Sequence, residues 1–273
     1  MMGQQRSDNT SMIKSPQRNP VSKALKALDW LIRTPDNKVG VRQMASALDL
    51  TPSNAHRLLN VLAVEGFVQR DAASGRYSLG LELLRWAHLV IERTPIHAVA
   101  LPRMRALVAD CNETALLGIY DGARQEMMFA ASVESLHPLR YVIELDRWFP
   151  ITAGASGLAI MAFLPEDEID AIIKRTRLMP RTPNTITDPR GLKQELAAIR
   201  KRGFAVSRGQ REPGAVGLGA PIFGLGGKVV GDLMTTIPEQ RFDKTMAEPL
   251  GKLLITHAAL ITQDLGGVVP APR

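Results

Sequence analysis

The sequence holds one cysteine, Cys111, in 273 residues. No disulfide can close within the chain, so packed cores must hold it together, as in a protein of the reducing cytoplasm. A lone cysteine just ahead of a strand reads as a small buried hydrophobe. No run of about 18 apolar residues occurs, so no membrane span is expected. The first 20 residues are polar and lack the apolar core of a signal peptide; a disordered arm is expected there. The five histidines, His56, His88, His97, His137 and His257, show no metal-binding spacing to one another or to Cys111. Enzyme motifs are missing as well. Gly154-Ala155-Ser156-Gly157-Leu158 lacks the final glycine of a nucleophile elbow. Gly217-Leu218-Gly219 and Gly224-Leu225-Gly226-Gly227-Lys228 complete neither a dinucleotide fingerprint nor a phosphate-binding loop. With no paired acid, base or nucleophile, the reading is a non-enzyme without metal or cofactor. Internal repeats and low-complexity segments are also absent.

What is present is ample apolar material, 45%, and a net charge of +7. That is enough for one or two globular domains with real cores. The charge is unevenly placed. Residues 1–93 carry 13 Lys and Arg against 8 Asp and Glu, whereas the remaining 180 carry 21 against 19. A basic N-terminal third suits a polyanionic partner. Within it, Pro52-Ser53-Asn54-Ala55-His56-Arg57-Leu58-Leu59-Asn60-Val61-Leu62 predicts a short two-faced helix. Ala55, Leu58, Leu59 and Leu62 recur at three- and four-residue spacing and form an apolar stripe. Ser53, Asn54, His56, Arg57 and Asn60 lie off it. Thr51 is a cap and Pro52 suits the first helical position. Residues 41–48 form another short amphipathic helix, and Asp49-Leu50-Thr51 is the turn between them. This is the helix-turn-helix pattern that addresses the DNA major groove.

The surrounding elements agree. Residues 21–33 predict a first helix with Leu25, Leu28, Leu31 and Ile32 on its apolar face. Residues 66–70 and 76–79 predict a hairpin around Asp71-Ala72-Ala73-Ser74-Gly75, a basic wing with Arg70 and Arg76 facing phosphates or the minor groove. Ser53, Asn54 and Asn60 are candidates for base edges, and Arg57 for a guanine edge or a phosphate. His56 joins them on the DNA-facing helix, while Arg42, Gln43 and Thr51 would hold the sugar–phosphate backbone.

These residues resemble the IclR family of bacterial transcription regulators. The likeness rests on Ala24-Leu25 and Leu28, on Pro52 to Leu59 as written above, on Glu65-Gly66-Phe67-Val68, and on Gly75-Arg76-Tyr77-Ser78-Leu79-Gly80. It continues to about residue 265. The resemblance implies an α+β protein: a winged helix-turn-helix domain over residues 21–80, a linker helix over 81–94, and an effector-binding GAF/PAS-like domain, an antiparallel sheet flanked by helices, over 95–266. It also implies a homodimer or homotetramer on a pseudo-palindromic operator, with the linker helix helping to dimerise it. Leu81, Leu83, Leu84, Trp86, Leu89 and Val90 make that helix apolar almost all round, so it needs more than one neighbour.

The second domain alternates strands and helices. Strands are expected at 114–120 and 126–133 around Asp121-Gly122, a hairpin signal, then at 139–145, 203–207, 217–223 and 228–236. Helices are expected at 96–111, 154–163, 166–175, 188–202 and 241–265. The effector site is expected at Thr152, Gly154, Ala155, Ser156 and Gly157, where small residues let a ligand reach the backbone and a helix begins. In the family a pocket wall lies here. This chain has Leu158 where the family often has a basic residue. The facing wall would come from Ser207, from Arg211 to Gly217, and from Met234 and Thr236. Arg208 and Arg211 make the loop basic, which favours an acidic ligand. Tyr141, Trp148 and Phe149 could line an apolar pocket or pack in the core. The ligand implied is a small organic or aromatic acid. Two other classes are weighed: a small-molecule sensor whose winged helix serves protein or architectural contacts, and an enzyme acting on the ligand.

Overall fold

The structure, a computed structural model, describes residues 19–92 and 95–270. Nearly all of the expected arm, the last two residues of the expected linker helix and residues 271–273, part of an expected C-terminal tail over 267–273, lie outside the described residues. The chain divides into two compact units, 1–93 and 94–273.

In the first unit, Asn19 caps α1 (Pro20–Arg33) by accepting the Val21 N–H at 2.9 Å. Next come α2 (Val41–Ala47) and α3 (Pro52–Val64), joined through Asp49 at φ 52. The wing is β1 (Val68–Arg70) and β2 (Tyr77–Leu79), in antiparallel register Val68↔Leu79. A bridge between Val39 and Tyr77 ties the wing to the segment before α2. Ala27, Leu31, Met44, Ala55, Leu59, Leu62 and Tyr77 form one core. Those residues from α3 are three of the four read as its apolar stripe, and only Leu58 stays half-buried. The unit closes with α4 (Leu81–Glu92), on which Leu81, Leu84, Trp86 and Val90 are exposed.

The second unit is a six-stranded antiparallel sheet between two helical layers. Its elements are α5 (Pro95–Cys111), β3 (Thr114–Asp121), β4 (Glu126–Val133), β5 (Trp148–Pro150), α6 (Ala155–Met161), α7 (Glu166–Thr176), α8 (Pro189–Arg202), β6 (Ala205–Arg208), β7 (Ala215–Phe223), β8 (Val229–Pro238) and α9 (Ala247–Asp264). The strand order is β5-β4-β3-β8-β7-β6. Period-two alternation sends opposite residues of one strand to different cores. Leu116, Phe129 and Met234 pack with α6, α7 and α8. Leu117, Leu218, Leu233 and Ile237 pack with α5 and α9. Among the described residues no helix is long and apolar enough to cross a membrane.

Two expected elements are corrected. Residues 139–145 are not a strand. The strand beside β4 is β5, with Trp148 opposite Met128. Pro138 lacks a ladder donor and Asp146 sits at φ 57, so the stretch 134–147 runs as an irregular loop. The Tyr141 hydroxyl pins this loop by donating to the Pro213 carbonyl at 2.9 Å. The last helix starts at Ala247 rather than 241, because Asp243 accepts the Thr245 N–H and closes a separate 3-10 turn, Lys244–Met246.

Candidate DNA-binding face and ligand cavity

Helix α3 starts where the Thr51 hydroxyl oxygen accepts the Asn54 N–H at 3.3 Å. Burying Ala55, Leu59 and Leu62 turns Ser53, Asn54, His56, Arg57 and Asn60 outward, and all five are exposed. Their side chains divide into two groups. Those of Ser53, Asn54 and Arg57 make no hydrogen bond among the described residues, as is true of Arg42 on α2 and Arg70 on β1. Asn60 instead accepts from the Tyr77 hydroxyl at 3.1 Å, and its amide nitrogen lies 3.4 Å from His56 Nδ1. That pair links the helix to the wing and leaves Asn60 less able to turn toward a base.

Three other expected DNA contacts also have work inside the fold. Gln43 accepts the Gly40 N–H at 3.4 Å and donates to Asp36 at 3.2 Å, which fixes the start of α2. Arg76 donates to the Lys38 carbonyl at 2.5 Å. Thr51 is the cap already described. The wing tip is shaped by Asp71, which accepts the Ala73 and Ser74 N–H groups and pairs with Lys38. The Lys38 bond, with those from Ser74, holds its carboxyl far below the usual carboxylate range.

In the second unit a cavity of about 470 Å³ opens between α6, the sheet and three loops. Of the expected ligand-site residues, Gly154, Ala155, Ser156, Ser207, Gly217, Met234 and Thr236 line it, with Arg211, Glu212 and Ala215 from the expected facing wall. Thr152 and Gly157 do not. Thr152 is buried beside the helix start. Gly157 serves packing, since a Cβ there would lie 2.6 Å from the Ile151 carbonyl oxygen. Gly157→Ala is therefore expected to destabilise this unit by about 1–3 kcal/mol through overpacking. Thermal unfolding should show a drop of several degrees, with the cavity wall otherwise intact.

The polar groups of the cavity come largely from loops. Arg147, Arg181 and Arg211 line it with Glu144 and Glu212, and Tyr141, Phe149 and Phe129 supply aromatic wall. Trp148 and Arg208 lie elsewhere: Arg124 stacks on Trp148, and Arg208 stacks on Phe242. Arg147 donates to Glu144 at 2.9 Å. Arg211 lies flat on Phe149, 3.6 Å from the ring centroid, and 5.2 Å from that of Phe129. It makes no hydrogen bond or ion pair among the described residues. Burial pulls its pKa down to about 10, so it stays charged at neutral pH. Helix α6 is only about two turns long. The positive field in the cavity therefore comes from guanidinium groups more than from a helix end.

At the floor of the cavity the Ser156 hydroxyl donates to Asp232 Oδ2 at 2.5 Å. Asp232 was not anticipated from sequence. The signal for it is a single charge inside the otherwise apolar run Val229–Pro238.

Residues 88–263 match the family model described as "Bacterial transcriptional regulator IclR C-terminal", and residues 20–72 match "IclR helix-turn-helix domain". The chain is 32% identical to the HTH-type transcriptional regulator KipR of Bacillus subtilis, over 90% of this chain and 96% of that protein. The crystal structure of the Thermotoga maritima IclR superposes with a TM-score of 0.76 at 33% identity, over 90% of this chain and 98% of that one. An IclR homolog from Microbacterium hydrocarbonoxydans, crystallised in complex with 4-hydroxybenzoate, shares the fold at a TM-score of 0.78 and 22% identity, over 91% of this chain and 99% of that one.

Proposed function

The chain belongs to the IclR family of bacterial transcriptional regulators, and on that premise we propose how its two units divide the work. Residues 21–80 bind an operator, residues 81–94 link, and residues 95–266 hold a small acidic effector. Helix α3 enters a major groove with Ser53, Asn54 and Arg57 at base edges or phosphates, while Arg42 and Arg70 hold the flanking backbone. The observation that carries this reading is the outward face of α3, where those three side chains have no partner among the described residues. Gln43, Thr51, His56, Asn60 and Arg76 support the face through their internal hydrogen bonds.

Operator binding works through a homodimer, itself able to pair into a tetramer. The exposed Leu81, Leu84, Trp86 and Val90 of α4 are the apolar surface such assembly would cover. A two-fold dimer places its recognition helices in successive grooves of a pseudo-palindrome. The effector shifts the pose of the winged helices only by its different affinity for the bound and released arrangements. The cavity is read as a binding site rather than a reaction site. No histidine lines it, and the one hydroxyl at its floor points its proton at an acid. With chromosomal DNA as partner, the place of action is the cytoplasm.

The test uses the full chain to enrich operators from random duplexes, and then reads affinity against salt and carboxylates. Expected is a steep fall of log K with log salt, as phosphate contacts release counterions, and a change in operator affinity on adding an acid that fills the cavity. A salt slope near zero would overturn the DNA-binding assignment for the winged helix.

A further inference from the structure

Asp232 is fully buried on β8, one of the two central strands of the sheet, beneath α6. It fits only because its neighbours have no side chains. A Cβ on Gly118 of β3 would lie 2.0 Å from Oδ1, and one on Gly219 of β7 would lie 3.0 Å from Oδ2. The niche is a built one, and just one of its two carboxylate oxygens is used. Oδ2 accepts from Ser156, whereas Oδ1 has no hydrogen-bond partner.

The groups that face Asp232 are few. Gly118 of β3, the Met127 methyl of β4, Gly219 of β7 and Ser156 of α6 are uncharged. The loop 209–214 brings the Arg211 cation near, and Arg147, Arg181, Glu144 and Glu212 stand further along the cavity lining. Burial raises the Asp232 pKa to about 7, against the opposing pull of the Ser156 bond and the Arg211 charge. A half-buried cation thus lines the cavity while a buried acid lies behind its wall, joined to it through Ser156.

We propose that Asp232 is a positioning residue that couples a proton to ligand binding, so that the cavity takes up a carboxylate together with one proton. The inference rests on reading the cavity as a carboxylate site. With Asp232 ionised, the Ser156 hydroxyl proton is committed to Oδ2, and Ser156 turns lone pairs toward the ligand. These repel a carboxylate. With Asp232 protonated, its O–H donates to Ser156 Oγ, and the Ser156 proton is released to the ligand. Solvent supplies the proton, and no covalent bond changes. An anion on Arg211 drives the same step. Its negative charge offsets the positive charge that favours ionised Asp232. The pair thus selects carboxylates over neutral isosteres most strongly on the acid side of neutrality.

The experiment is titration calorimetry on the full chain with benzoate, acetate and the neutral isostere benzamide. Each is run at pH 6 and pH 8, in buffers of different ionisation heat. Expected is uptake of about half a proton per carboxylate bound near pH 7, rising toward one at pH 8, and an affinity falling toward tenfold per pH unit above neutrality. Asp232→Asn, which keeps the shape and can donate to Ser156 at any pH, should bind carboxylate equally at pH 6 and pH 8 with no proton uptake. Ser156→Ala keeps the acid and deletes the relay. At pH 6 it should bind no better than the unaltered chain at pH 8, which guards against a misfolded Asp232 variant. Carboxylate binding with no proton uptake, or the same pH slope in Asp232→Asn, overturns the coupling and leaves the carboxylate site standing. No binding of either acid overturns the carboxylate reading itself.

Discussion

Arg57→Ala is expected to cost the protein operator affinity by a factor of roughly 30 to 10⁴. A specific arginine contact to a base edge is worth about 1–3 kcal/mol, and the proposed dimer loses it in both half-sites at once. The loss should fall on affinity alone. Arg57 is exposed, makes no hydrogen bond or ion pair among the described residues, and sits off the buried Ala55, Leu59 and Leu62 stripe of α3. An alanine there favours the helix slightly, so the unit should melt no earlier. Carboxylate affinity of the cavity should be unchanged. Electrophoretic mobility shifts with the enriched duplex measure the effect. The pattern of loss also separates the two roles open to this side chain. A base contact relaxes preference at one position of each half-site. A phosphate contact weakens all duplexes alike and reduces the salt slope by about one per half-site. Equal operator affinity in the variant would remove α3 from the proposed interface.

Asn60 carries the opposite expectation from a similar position, and the contrast shows what the sequence could convey. Both residues lie off the apolar stripe, so helical periodicity assigns them to the same face. Periodicity cannot show that the wing folds back to place the Tyr77 hydroxyl 3.1 Å from Asn60. The same division runs through the second unit. Strands β3, β4, β7 and β8 are legible because apolar residues and a turn at Asp121-Gly122 bound them. The small residues from Gly154 to Ser156 mark one wall of the cavity for the same local reason. Residues 139–145 mislead because an alternation that half-buries Tyr141, Ile143 and Leu145 also describes a loop laid over the core. The cavity's charges were harder to read. Arg147, Arg181 and Arg211 come from three separate loops, and only the third was drawn into the site by its neighbours in sequence. Asp232 stands out as a charge in an apolar strand, but its niche depends on Gly118 and Gly219, which lie on the two neighbouring strands.

Arg211→Met should separate what the cavity does from what holds the unit together. The guanidinium is largely desolvated, rests on Phe149 and Phe129, and has no anion of its own. A buried cation in that state is a cost to the folded chain, since its lost hydration is not made good by a partner. The stacking returns part of that cost, about 0.5–2 kcal/mol for a cation on an aromatic face. Methionine keeps the length and an adaptable apolar contact with both rings. Thermal unfolding without ligand should therefore be unchanged or shifted upward. Carboxylate binding should move the other way. Truncating one member of a buried charge pair typically costs 2–5 kcal/mol, so benzoate affinity should fall by about 30-fold to several thousand-fold. Benzamide should lose far less. Asp232 should respond too. Without the Arg211 charge nothing offsets its burial except the Ser156 bond, so its carboxyl should rise further above the usual range and stay protonated to higher pH. A variant that is both less stable and unchanged in carboxylate affinity would mean that Arg211 braces the aromatic wall and that the anion sits elsewhere. A more stable protein that has lost its acid would mean that the fold tolerates an unfavourable buried charge because the ligand completes it.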